Sequence, residues 1–168
     1  DEERKADENN PKGYYEHEAV KSLAKDNSWL NYSKGKVIKV IAHLLPHLPS
    51  HINYKIVFML RDLDEVIASQ EKMLVKTGKR QKTSYSLSLR RNYEENLQRI
   101  EQLLHDSSNI DVIFVNYREV IDNSVDAIKS IAAFLDLGLR QKDMCDAINT
   151  DLYRTKIIQP KPNIQHEK

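Results

Sequence analysis

A chain of 168 residues has room for one domain with a real core and is too short for two comfortable ones. Its 40% hydrophobic and 30% charged residues argue against disorder, and a formal net charge of +1 gives no global case for nucleic-acid binding. No apolar stretch approaches the roughly 20 residues needed to cross a bilayer, and the single cysteine, Cys145, excludes an intrachain disulfide.

In chain order, the opening DEERKADENN is the opposite of a signal peptide, and residues 1–18 hold seven acids against three bases. A lone cysteine and no leader fit a reducing, cytoplasmic setting. The charged start without Met reads like the interior of a longer chain. Residues 1–13 are expected to be a flexible loop with NPKG as a turn. Ala19, Val20, Leu23 and Ala24 have helical spacing and predict a short helix ending near Asp26. Residues 37–42, VIKVIA, read as a short buried strand, and residues 54–60 as another. HLLPHLPSHIN between them carries two prolines and has room for at most one short turn of helix.

After Arg61, Asp62 and Glu65 form a capping pair, and Val66, Ile67, Ala68, Met73 and Leu74 give one apolar helix face. From Lys72 to Arg91 there are seven Lys or Arg and no Asp or Glu. That stretch is either a solvated loop or a surface for an anionic ligand. Tyr93, Leu97, Ile100 and Leu104 mark a long helix, and residues 112–115 a third buried strand. Val125, Ile128, Ile131, Ala132 and Leu135 mark another helix, stopped near Gly138. A last short helix is expected over 141–148, with a flexible end from 155 to 168. Apolar strands alternating with amphipathic helices predict an α/β domain of three layers, a parallel sheet with helices on both faces. Such sheets bind ligands beyond the carboxyl ends of their strands, where Arg61, Tyr117 and His43 would meet.

MLRDLDEVIAS places Ser69 eight residues after a strand-ending Arg61. With GKVIKVIA, FVNYREVIDN, IKSIAAFLDL and INTDLYR in order, this resembles the sulfotransferases that use 3′-phosphoadenosine 5′-phosphosulfate (PAPS), with NPKGYYE similar to bacterial members. The resemblance covers about residues 10–155 and implies the P-loop NTPase-like sulfotransferase fold. It implies that Arg61 and Ser69 grip the nucleotide's 3′-phosphate and that Tyr117, Thr150 and Leu152 contact adenine. It further implies that Lys39 supplies a cation near the transferred sulfuryl group. The candidate bases for an acceptor hydroxyl or amine are Glu16 and His43, the latter two residues past the matching position. The chemistry is suitable, because a guanidinium fork matches phosphate oxygens and a hydroxyl adds a donor.

The chain departs from the family in having no G-x-x-x-x-G-K sequence for the 5′-phosphosulfate and no recognisable Arg-Lys-Gly segment. It is therefore expected to be a fragment or truncated homologue lacking the first strand, loop and helix, and to self-associate through an exposed sheet edge. Each candidate also has a plainer reading. Lys39 is then a solvent-facing strand lysine, His43 a loop histidine and Glu16 a helix-start carboxylate. Tyr117 is rim packing, Arg61 pairs with Asp64, and Ser69 is an ordinary helix residue. Trp29, Tyr14 and Tyr15 line an acceptor pocket or pack as core. His47, His51 and His105 lack metal-ligand spacing, so no metal is expected. The rival functions are a nucleotide or nucleoside kinase of the same architecture and a non-enzymatic module that binds an acidic partner through 72–91.

Overall fold

The computed structural model describes residues 6, 13, 15–76, 78 and 87–153. The expected flexible ends fall almost wholly outside the described residues, as do residues 79–86 of the basic stretch and Tyr14.

The mixed α/β architecture rests on two parallel strands, β1 (Tyr54–Leu60) and β2 (Ile110–Asn116). They pair along their whole length, from Tyr54 opposite Ile110 to Leu60 opposite Asn116. β2 is longer than the expected 112–115. The crossover between them carries α2 (Leu63–Lys76) and α3 (Leu87–Asp106). One face of the pair, bearing Ile56, Phe58, Ile110 and Val112, packs on Leu97, Ile100 and Leu104 of α3. On the other face lies α5 (Ser124–Leu135), reached from β2 through the short α4 (Tyr117–Asp122). Lys55 alternates to that face, and its Nζ donates to the Phe134 and Leu135 carbonyls at 2.9 and 3.2 Å. A cation thus meets the unsatisfied carbonyl end of α5. That helix stops at Asp136, which adopts the left-handed conformation, two residues before the expected stop at Gly138.

The N-terminal part is a satellite layer. α1 (Glu18–Lys21) is shorter than expected and continues as turns to Asp26. Asp26 accepts hydrogen bonds from the Ser28 hydroxyl and backbone N–H at 2.7 and 2.9 Å, starting a 3-10 helix over Ser28–Tyr32. Those two bonds, the hydroxyl first, hold the Asp26 carboxyl below its ordinary range. Val20, Leu23, Leu30 and Leu44 form one buried cluster.

The expected strand over 37–42 does not form. The segment lies beside the core with Ile38 and Val40 packed inward, while Val37 is 93% exposed. Its side chains alternate as a strand's would, but a strand is defined by a partner's hydrogen bonds, and β1 and β2 pair only with each other. Among the described residues the sheet therefore has two strands, and His43 ends no strand. Residues from Ala42 to His47 form a 3-10 helix of six residues that includes Pro46, longer than the single turn expected. Its adjacent Leu44 and Leu45 enter different clusters, joining the satellite layer to the main core. The last elements are α6 (Gln141–Asp146) and a 3-10 turn over Thr150–Leu152. Among the described residues no helix is long and apolar enough to cross a membrane.

Leu104, at 1% exposure, and the exposed Val37 should respond very differently to truncation. Leu104→Ala is expected to cost about 2–5 kcal/mol by urea denaturation, and Val37→Thr less than about 0.5 kcal/mol. A cost well above that at Val37 would mean that segment 37–41 is paired and buried in solution.

Candidate functional site

Parallel register decides which residues meet beyond the strand ends. Leu60 is opposite Asn116, so the next residues, Arg61 and Tyr117, leave adjacent strands side by side. α2 starts at once, because Asp62 Oδ1 accepts the Asp64 and Glu65 N–H groups at 2.9 and 3.2 Å. α4 starts likewise on Asn116, whose Oδ1 accepts the Arg118 N–H at 2.8 Å. Two capped helices thus flank a cavity of about 230 Å³ lined by Arg61, Asp62, Glu65, Tyr117, Arg118 and Tyr153, together with Leu60 and Asn116 from the strand ends.

The centre of this cavity is a buried carboxylate. Glu65, expected only as a capping residue, is 2% exposed. Its Oε1 accepts the Tyr153 hydroxyl at 2.6 Å, and its Oε2 pairs with Arg61 Nε at 3.4 Å. The plainer reading of Arg61 is corrected in its partner: Asp64 pairs with Arg90, and Arg61 with Glu65. One helical turn separates Arg61 from Glu65, so the pair follows directly from α2 starting at the strand end. The Arg61 guanidinium carbon also lies 5.2 Å from the Tyr117 ring centre and 5.8 Å from that of Tyr153. The two rings meet edge to face at 5.5 Å. Aromatic faces favour a nearby cation, which restricts the guanidinium further. Its side chain remains 31% exposed, and its terminal nitrogens make no hydrogen bond among the described residues.

Burial is the main influence that raises the Tyr153 hydroxyl above its ordinary value, and the Glu65 hydrogen bond and charge raise it further; Arg118 and Arg61 act in the opposite sense. Tyr153 therefore stays a neutral donor to Glu65 through the physiological range.

The other expected nucleotide residues are placed less tightly. Ser69 is half-buried on α2, one turn beyond Glu65, and does not line the cavity. Thr150 is exposed and Leu152 half-buried on the 3-10 turn that leads into Tyr153; neither lines the cavity. Glu65, Tyr153 and Arg118 were not expected in the site. Tyr153 belongs to INTDLYR, so its segment was signalled although its own part was not.

A second group gathers on the satellite layer. Lys39 Nζ and Glu16 Oε1 form an ion pair at 3.1 Å, which brings two of the expected catalytic residues together. Lys39 is 58% exposed and Glu16 22%. A smaller cavity of about 140 Å³ beside them is lined by Tyr15, His17, Trp29, Ser33 and residues 36–39. Trp29 stacks on His17 with ring centres 5.0 Å apart and also packs on the adjacent core, so pocket wall and packing are both present. His43 is exposed on its 3-10 helix and lines neither cavity. In the basic stretch, Arg90 pairs with Asp64 and Glu94, and Arg91 with Glu95, so both arginines already have acidic neighbours. No protein-family model, curated protein or solved structure matches this chain.

Tyr153→Phe leaves Glu65 Oε1 without its donor and is expected to cost about 1–3 kcal/mol at neutral pH. Because the folded-state value of Tyr153 is raised, its stabilising contribution is whole below the ordinary tyrosine value near 10 and fades as pH rises through the raised one. Urea melts of wild type and Tyr153→Phe should therefore converge at alkaline pH. A gap that stayed constant there would mean the hydroxyl's ionisation is not coupled to folding.

Proposed function

We propose that this chain is the nucleotide-binding and acceptor-activating part of a PAPS-dependent sulfotransferase, with Arg61 as the anchor of the 3′-phosphate. The observation that carries the proposal is the state of Arg61. It stands at the carboxyl end of a parallel strand beside a capped helix start, its Nε edge is taken by Glu65, and its terminal nitrogens are left for an anion. The P-loop NTPase-like three-layer arrangement belongs to the same proposal, supported by the parallel pair with α3 and α5 on its two faces.

The residues present fit part of a nucleotide. The cavity is smaller than the roughly 300 Å³ at the low end of ligand pockets, enough for a phosphate with part of its ribose. Arg118 adds a second guanidinium to its wall, and Tyr117 offers an aromatic edge for a base. Ser69, Thr150 and Leu152 lie outside the cavity, so in this reading they would meet only the parts of the nucleotide that extend beyond it.

When bound, PAPS supplies a sulfuryl group and leaves as adenosine 3′,5′-bisphosphate. On this chain, Glu16 would take the proton of an acceptor hydroxyl or amine when that group displaces the 5′-phosphate from the sulfuryl group. Lys39, paired with Glu16, would offer a cation to the negative charge of the leaving phosphate. Glu16 is a better placed candidate base than His43, because its partner Lys39 lines a cavity and His43 lines none.

Calorimetric titration tests the reading through the 3′-phosphate. Adenosine 3′,5′-bisphosphate is expected to bind more tightly than 5′-AMP or ATP. Arg61→Ala should remove at least about tenfold of that preference, the weight of a hydrogen bond to a charged group. Equal binding of all three nucleotides would sink the sulfotransferase reading and favour a kinase-like one.

A further inference from the structure

We infer that Glu65 and Tyr153 are positioning residues for Arg61, acting as one unit that selects the 3′-phosphate without touching it. The inference rests on the proposed role of Arg61 and adds to it two residues that neither the motif spacing nor that role required.

The argument begins with the freedom of an arginine. A guanidinium on a long side chain has many rotamers, and an anion site gains little from one that must be ordered on binding. Arg61 is ordered already. Glu65 Oε2 holds its Nε edge, and the Tyr117 and Tyr153 rings limit its plane. Occupying Nε leaves the terminal nitrogens as the remaining donors, and these form the fork that suits phosphate oxygens.

A carboxylate beside that fork also opposes an anion electrostatically. The Tyr153 hydroxyl bears on this conflict. Its short bond to Oε1 satisfies half of the carboxylate and draws charge toward the oxygen that does not face Arg61. Glu65 can then orient Arg61 while competing less for it. Tyr153 thus acts twice, with its ring against the guanidinium and its hydroxyl on the guanidinium's partner. It also follows directly on the Thr150–Leu152 turn, so the segment proposed to meet adenine is tied to the phosphate anchor.

The test measures a ratio of affinities, adenosine 3′,5′-bisphosphate over 5′-AMP, by calorimetric titration of this chain. Wild type, Tyr153→Phe, Glu65→Gln, Arg61→Ala and the double variant Arg61→Ala/Tyr153→Phe are compared, with melts of each followed by circular dichroism. Tyr153→Phe keeps the ring and the net charge, and is expected to lower the ratio by about threefold to tenfold, the weight of one hydrogen bond. In the Arg61→Ala background the same change should lower it no further, a coupling that a merely structural contribution would not produce. Glu65→Gln keeps the shape and is also expected to lower the ratio.

A loss of both affinities in proportion, with the ratio intact, overturns the inference and leaves Glu65 and Tyr153 as fold residues only. A higher ratio in Glu65→Gln overturns it too, because Glu65 would then act only as a repelling charge. If Arg61→Ala alone lowers the ratio, the nucleotide reading stands and the positioning inference falls. If wild type shows no preference for the 3′-phosphate, both fall together.

Discussion

A carboxylate that is almost wholly buried governs how this structure closes. Removing Glu65 from water is costly unless its charge is paired and its oxygens accept hydrogen bonds. Tyr153 and Arg61 meet that requirement from opposite sides. The C-terminal turn, the start of α2 and the end of β1 must therefore take one relative placement for the carboxylate to be tolerated. Stripping the tyrosine donor from such a group is expected to cost about 1–3 kcal/mol, a sizeable share of a small domain's stability. Apolar packing under α3 supplies the bulk of the core, while Glu65 makes the placement of its edges specific.

The two charged centres differ in the same physical terms. Lys39 and Glu16 meet at the surface, where water screens them and little stability depends on the contact. Such a pair can separate at small cost. Arg61, by contrast, is held by a buried partner and two rings and has far less freedom to move away. The two cavities share no lining residue. The Lys39–Glu16 pair and the Arg61 cluster thus sit on separate layers, joined by the 3-10 helix that carries Leu44 and Leu45.

Much of the main layer was legible because its strands are apolar along their length and are bounded by chemistry that stops them. β1 ends at Arg61 and an Asp62 cap, and β2 ends at an Asn116 cap. VIKVIA was equally apolar and formed no strand, because composition reports burial and extension but not the presence of a neighbour to pair with. Among the catalytic candidates, Lys39 and Glu16 lie 23 residues apart and nonetheless meet. His43 stayed apart, since its expected place depended on the strand that did not form. Glu65 was visible only as the last position of a capping pattern, and that pattern accounts fully for its backbone N–H. Nothing local tells that its side chain turns inward to a tyrosine 88 positions away.

That separation has a kinetic meaning. β1 and β2 pair across 56 positions, and the long helices between them can form locally while the chain searches. The Tyr153–Glu65 bond joins residues 88 positions apart, so its loop closure must be met before the contact gives anything back. Because chains emerge N-terminus first, Tyr153 is among the last of these residues to be made. Until it docks, Glu65 lacks its tyrosine donor and Arg61 lacks one of its two flanking rings. The setting of Arg61 is consequently a late product of folding, complete only when the C-terminal turn has docked against β1, α2 and α4.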